Sequence, residues 1–290
     1  MRFLAIYFTG TGNSKRVVDV INRNLSLLGH TMDEVDVIKD EVKNIDDYDG
    51  LVITYPIYGF NAPKPIIAYV KKMAKASENK KCLIMKQSGE HLFWNNASSL
   101  YLTSLLKKRN ITVTNEYHYL MPYSFIFRHS DYMAFRMNNV MEGLIPLDLN
   151  DFFNSKEVHM KRFFLDRFFA WSLRIQWWGG RFNGRFYKVE KNKCIKCMKC
   201  INSCPSHNIE YDKEKGKFKF HGQCLMCQRC IMYCPRQAIK VGMFNSWRVD
   251  KPYTFVEAPY QKENHPNYCK KNYIKYFKVS EERIEKSKAQ

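Results

Sequence analysis

The chain has 290 residues, 47 of them Lys or Arg and 28 Asp or Glu, for a formal net charge of +19. This length is enough for two domains with cores of their own. No run of about 18 apolar residues occurs, so no membrane-spanning helix is expected, and Met1–Phe8 is too short for a signal peptide and lacks a small-residue cleavage site.

The charge is lopsided. Residues 1–150 carry 18 basic and 15 acidic side chains, whereas residues 151–290 carry 29 and 13. The second half should therefore attract an acidic protein partner, anionic lipid or nucleic acid in a salt-sensitive way.

In chain order, Phe3–Phe8 is an apolar run of strand length, followed by Thr9-Gly10-Thr11-Gly12-Asn13-Ser14 and a helical pattern through Val17, Val18, Val20 and Ile21. Strand, Gly/hydroxyl loop and helix form the arrangement that holds a phosphate on backbone N–H groups at a helix N-terminus. Hydroxyls of Thr9, Thr11 and Ser14 and the Asn13 amide can add donors. The loop is neither a P-loop nor a GxGxxG fingerprint, and the absence of the latter disfavours an adenine dinucleotide.

Val35–Ile38 reads as a second strand and Leu51–Thr54 as a buried third, which runs into the aromatic loop Tyr55-Pro56-Ile57-Tyr58-Gly59-Phe60-Asn61-Ala62-Pro63. A helix is expected from Lys64 to about Lys75, a fourth strand at Leu83–Met85 ending in Lys86-Gln87-Ser88-Gly89, a helix over residues 97–108, and a fifth strand near Ile111–Leu120. This alternation predicts an α/β, doubly wound parallel sheet, which binds ligands at the carboxyl ends of its strands.

These residues resemble the flavodoxins over about 120 positions: the Thr9–Ser14 loop, the Asp49-Gly50 lead into strand 3, and the Tyr55–Gly59 loop. The resemblance implies a five-stranded sheet of order 2-1-3-4-5 and bound FMN. Thr9, Gly10, Thr11, Gly12, Asn13 and Ser14 would hold its phosphate. Tyr55, Pro56, Ile57, Tyr58 and Gly59 would meet the ring, with Tyr58 as the aromatic and Tyr55 and Phe60 as competitors. The region Lys86–Glu90, with Ser88 and Gly89 as its site residues, would approach the pyrimidine edge. Phe93 and Trp94 would either cover the ring or pack on a helix face.

Residues 151–185 are expected to link two domains. Phe164, Phe168, Trp171, Ile175 and Trp178 make one apolar stripe, and Phe169, Leu173 and Trp177 a second, flanked by Lys161, Arg162, Arg167 and Arg174 and ended by Gly179-Gly180. The reading preferred is a docking helix whose stripes pack on both domains. An interfacial membrane helix and a site for a partner subunit are the alternatives.

Residues 186–243 contain a cysteine run that occurs twice, Cys194-x2-Cys197-x2-Cys200-x3-Cys204-Pro205 and Cys224-x2-Cys227-x2-Cys230-x3-Cys234-Pro235, at an offset of 30 residues. The spacing is that of the bacterial two-cluster ferredoxins, in which the fourth Cys of each run ligates the other cluster. By that resemblance Cys194, Cys197, Cys200 and Cys234 hold one [4Fe–4S] centre, and Cys224, Cys227, Cys230 and Cys204 the second, in a small α+β domain. A pair of four-cysteine zinc sites is the alternative, but zinc ribbons use two separated Cys pairs rather than one compact run closed by Cys-Pro. Ile195 and Leu225, Ile201 and Ile231, and Ile209 and Ile239 are paired by the repeat and should wall water from the clusters. Only Cys82 and Cys269 lie outside the runs. This cysteine usage points to a reducing cytoplasm and anaerobic metabolism.

Residues 244–290 are aromatic and basic and are broken by Pro252, Pro259 and Pro266. They read as a wrapping tail whose end, from Ser280, is a polar helix or frayed. Aromatics among lysines could stack on single-stranded nucleic acid, but no RNA-binding motif accompanies them, which disfavours that partner.

The whole chain resembles the flavodoxin–ferredoxin fusion family, with residues 1–150 as the FMN domain. The function implied is an electron-transfer protein passing single electrons between FMN, two clusters and a redox partner that has an acidic docking surface. The alternative is a flavin-dependent oxidoreductase reducing a small organic acceptor. Electron transfer requires no catalytic acid–base pair, so His91, His118 and His207 are expected at the surface or in packing. Oligomeric state leaves no mark in the sequence.

Overall fold

The computed structural model describes residues 1–163, 165–261 and 264–289. Five strands form one sheet: β1 (Arg2–Tyr7), β2 (Thr31–Asp36), β3 (Gly50–Pro56), β4 (Lys80–Ser88) and β5 (Ile111–Leu120). Every neighbouring pair is parallel and the order is β2-β1-β3-β4-β5, the flavodoxin-like arrangement. The central strands are continuously apolar because both faces of a parallel sheet are covered by helices. Strand β2 lies earlier than the apolar run at Val35–Ile38 suggests. It is an edge strand, and edge pairing with β1 tolerates its polar residues Asp33 and Glu34.

One face of the sheet is covered by α1 (Asn13–Leu27) and by a helix absent from the expectations above, α4 (Asp131–Phe153). The α4 sequence has buried Met133, Met137, Met141, Ile145 and Leu149 on one side, and Pro146 inside it masks the pattern as a breaker. The opposite face is covered by α2 (Lys64–Lys72) and α3 (Leu100–Lys107). Strand β5 is the other sheet edge. The linker closes it, since Glu116 N–H donates to the Val158 carbonyl at 2.8 Å and Val158 N–H to the Thr114 carbonyl at 3.2 Å.

The linker then forms α5 (Asp166–Ser172), a single 3-10 turn at Leu173–Ile175, and α6 (Gln176–Gly184). Its packing departs from the docking-helix expectation. Phe169 stacks on Trp94 and Trp177 packs on the β-sheet core, but Phe168, Trp171, Ile175 and Trp178 face solvent. The stripe's first member, Phe164, lies outside the described residues. Toward the second half α6 approaches through Gly180 and Gly184, against Met226 and Cys224, so small residues set its distance there.

The second half is built from two antiparallel pairs, β6 (Lys188–Val189) with β9 (Ile239–Lys240) and β7 (Ile209–Asp212) with β8 (Lys217–Phe220), and two one-turn helices, α7 (Lys199–Asn202) and α8 (Arg229–Met232). Its apolar core is small: Tyr187, Ile231, Ile239 and Val241 are buried, and cysteine side chains pack around them. Of the expected apolar walls, Ile209, Ile231 and Ile239 are buried, whereas Ile195 is 59% exposed.

The tail returns to the first half. Helix α9 (Lys270–Lys288) lies on α4 and puts Tyr273, Tyr276 and Phe277 into the main core. Beyond Ser280 it is not frayed: Arg283 bridges Asp148 at 2.5 Å and Asp151 at 2.9 Å, and Ile284 packs on Gly143.

Candidate functional site

Two cavities of about 350 Å3, open mouths included, lie in the second half. Cys194, Cys197, Cys200 and Cys234 line one; Cys204, Cys224, Cys227 and Cys230 line the other. The fold brings each run's fourth cysteine to the other run's cavity. Among the described residues no cysteine is in a disulfide. Among the described residues no three His, Cys, Asp or Glu side chains converge on one metal-ion position. Four sulfurs spread around a cavity suit a polynuclear cluster, whereas tetrahedral zinc needs all four about 2.3 Å from one point.

The backbone repeats with the sulfurs. Lys196, Met198 and His207 have positive φ, and so do Met226, Gln228 and Gln237, each 30 residues on. These left-handed residues turn N–H groups inward, as in an anion-binding nest. Lys196 N–H donates to Cys194 Sγ and Asn208 N–H to Cys204 Sγ; Met226 and Ala238 repeat the pattern on Cys224 and Cys234. Such N–H···S bonds stabilise thiolate charge and tune cluster potential. Burial pushes the Cys200 and Cys227 thiols up to about 11 and Cys224 up to about 12, so a bound cation is what would make thiolates of them.

The two cavities differ in exposure. Cys197 and Ile195 of the first run are exposed among Lys193, Lys196 and Lys199. Their counterparts Cys227 and Leu225 turn inward and pack on the core of the first half.

The Thr9–Ser14 loop sits at the carboxyl end of β1, beside β3, where the strand order reverses. Gly12 has φ +106°, and a β-carbon on it would meet nothing within 4 Å, so the space before α1 is open. The first-turn N–H groups of α1 have no intrahelical acceptor, and Gly12 supplies no side-chain cap. Thr9 Oγ1 accepts from Gly12 N–H at 2.9 Å, which shapes the turn. Two of the expected donors are already engaged: the Ser14 hydroxyl donates to Gln87 Oε1 at 2.7 Å and the Asn13 amide to the Pro122 carbonyl at 2.9 Å. The phosphate end therefore fits an anion through backbone N–H groups and the Thr9 and Thr11 hydroxyls.

The second loop is a tight turn. Tyr58 and Asn61 exchange backbone hydrogen bonds of 3.0 and 3.1 Å around Gly59 and Phe60, both at positive φ. Pro56 ends β3, and Ile57 N–H donates to the Gln87 carbonyl. The Tyr55 ring is wholly inside the core, so a direct stack on a ligand is not open to it. Phe60 meets Trp94 edge to face. Tyr58 lies edge-on to Phe8, with its hydroxyl against Gly10 and the Cys227 loop, and burial holds its phenol well above the usual range.

At the end of β4, Ser88 Oγ and His118 Nε2 are 2.7 Å apart, and His91 stacks on His118. Burial keeps His118 well below the usual imidazole range, so it is neutral. Gly89 is covered by the Tyr123 ring, whose hydroxyl donates to the Glu90 carboxylate.

Three residues that sequence reasoning missed tie these parts together. Arg229, inside the second cysteine run and 9% exposed, donates from Nε to the Gly10 carbonyl at 3.1 Å and from Nη2 to the Thr9 carbonyl at 2.6 Å. Its counterpart in the first run, Lys199, is exposed, so only the break in the repeat from Lys to Arg signalled the difference. Gln176 of α6 donates to the Tyr58 carbonyl at 3.1 Å and also to that of Gly59. Tyr123 follows β5 by three residues, with nothing in the local pattern to mark it.

Residues 193–238 match the family model of the 4Fe-4S dicluster domain. No curated protein sequence matches the chain. Among solved structures, oxidised flavodoxin 1 from Bacillus cereus is 13% identical, covers 49% of this chain and 95% of its own, and has a TM-score of 0.35. A flavodoxin from the domain Archaea is 9% identical over 52% and 98% of the two chains, with a TM-score of 0.37. The flavodoxin of Streptococcus pneumonia TIGR4 is 12% identical over 52% and 98%, with a TM-score of 0.38. At these scores the likenesses add no weight to the fold, which rests on the strand order itself. The chain joins a flavodoxin-like sheet to a 4Fe-4S dicluster domain carrying two [4Fe–4S] clusters.

Proposed function

We propose that the protein passes single electrons between FMN, two [4Fe–4S] clusters and an external redox partner. The observation that carries this reading is the contact between the second cysteine run and the Thr9–Gly10 loop, where Arg229 donates to both loop carbonyls. It brings the two candidate cofactor sites against each other within one chain. FMN, when bound, would supply chemistry that accepts or yields two electrons together or singly, while each cluster handles one.

The roles left to the protein are placement, burial and charge. Cys194, Cys197, Cys200 and Cys234 are assigned to the first cluster, and Cys204, Cys224, Cys227 and Cys230 to the second. Backbone N–H groups at the start of α1, with Thr9 and Thr11, would hold the phosphate. Arg229 fixes the loop against the second run and adds positive charge between the two sites. The exposed first run, ringed by Lys193, Lys196 and Lys199, is the side on which an acidic partner would dock. Gln176 and Tyr123 cover the loop edges that a small acceptor would have to approach, which favours the carrier over a reductase of small molecules.

Anaerobic assay of iron, sulfide and released flavin on the purified protein tests this reading. About eight irons and one FMN per chain are expected. Eight irons without flavin, even after FMN is added, would leave a dicluster protein on a flavin-free scaffold and sink the proposal.

A further inference from the structure

The segment Asp166–Gly184 turns one of its apolar rows away from the protein. Toward the fold it presents the buried Ala170, Gly180, Asn183 and Gly184, with Phe169 and Trp177 as the aromatics that pack inward. The positions facing water are large and apolar. Phe168, Trp171, Ile175, Trp178 and Phe182 are 59%, 63%, 72%, 67% and 53% exposed. Their spacings of three, four, three and four put them on one face of a helical path that continues through the 3-10 turn. An apolar surface of this kind is costly in water unless something covers it.

The surrounding charge indicates what does. Between residues 160 and 189 there are seven basic side chains and one acid, Asp166. The acid is buried and accepts the Phe163 N–H at 2.8 Å, so it contributes little to the outer surface. Arg167, Arg181 and Arg185 are exposed beside the aromatic face. Trp and Phe on one side and arginines along the margin form the pattern of a helix lying in the plane of a bilayer, rings at headgroup depth and cations on anionic lipid. Ile175, the most exposed position of the face, has no ring to stack on a base, which separates this surface from a single-strand nucleic-acid platform. No helix among the described residues is long and apolar enough to cross a membrane, so the contact would be peripheral.

We propose that the Phe168–Phe182 face docks the protein on an anionic membrane surface. The test is co-sedimentation of the cluster-loaded protein with vesicles containing phosphatidylglycerol, against vesicles of phosphatidylcholine alone. Binding is expected to the anionic vesicles, to weaken as salt is raised, and to shift tryptophan emission to the blue. Trp171→Ser with Trp178→Ser should lower the partition coefficient at least about tenfold while iron content and reversible reduction stay unchanged. Ile175→Asp, a single change at an exposed position, should lower it in the same direction and guards against misfolding of the double variant. The proposal is overturned by failure of the wild type to bind anionic vesicles, or by equal binding of both variants. It is also overturned if the same face instead drives self-association or holds a single-stranded oligonucleotide more tightly than vesicles.

Discussion

A β-carbon at position 10 would stand 2.5 Å from the Tyr58 hydroxyl and 2.6 Å from the Cys227 carbonyl, so glycine there is what lets the two halves touch. Gly10→Ala should destabilise the protein by about 1–3 kcal/mol in anaerobic denaturant titrations, because neither neighbour is a flexible chain end. Arg229→Lys should not rescue what Arg229→Ala loses. A lysine ammonium lacks the planar pair of nitrogens, Nε and Nη2, that meets the Gly10 and Thr9 carbonyls separately, and hydrogen bonds from a charged group are worth about 1.5–3 kcal/mol. Both variants should slow electron exchange between flavin and clusters, read by following both chromophores after partial reduction. His129 supplies a pH dependence. Its Nδ1 accepts from Tyr123 N–H at 3.3 Å and its Nε2 pairs with the Tyr273 hydroxyl at 3.0 Å. Burial, then His265 and Arg128, lower its pKa to about 3, so the folded protein resists a proton that the unfolded chain takes up near pH 6.5. The stability this provides is complete above that value and is lost as pH falls toward 3, by about 2 kcal/mol at pH 5. His129→Gln should flatten the curve in that window, as measured by denaturation at each pH.

Among the elements, the cysteine runs and the phosphate loop were legible because their chemistry is local: a sulfur spacing or a strand–glycine–helix junction is complete within about a dozen residues. Helix α4 was hidden by Pro146, and α9 by a surface rich in lysine, although its Tyr273, Tyr276 and Phe277 complete the main core. The residue that fixes an inter-half contact, such as Arg229 or Gln176, has no local pattern, since its partner lies 219 positions away in one case and 118 in the other. Phe277→Ala should cost about 3–5 kcal/mol, the range for emptying a core aromatic site, and would show that the tail is part of the fold. The dicluster elements should respond differently. Their apolar cluster is small, built on Tyr187, Ile231, Ile239 and Val241 with cysteines around it, so they should depend on iron to hold together. Anaerobic iron chelation should abolish protection of amides in residues 187–241 and leave β1–β5 protected, which hydrogen exchange can resolve by segment.

In the whole molecule, the near-identical runs end in unlike surroundings, one facing water among lysines and the other pressed on the sheet domain. Under the proposed function this asymmetry would put exchange with the partner at the first cluster and exchange with the flavin at the second. Lys196→Glu with Lys199→Glu should slow association with an acidic electron donor by about tenfold or more at low ionic strength and flatten the salt dependence of that rate, without altering the cofactor content. The packing of Cys227 beneath Gly10 and Tyr58 also constrains biogenesis. Once the halves have closed, the sheet domain lies against the Cys227 side of the second cavity, a side that an isolated ferredoxin domain would leave uncovered. The order expected from this is that the cluster scaffold fills before the sheet domain packs on the inner centre.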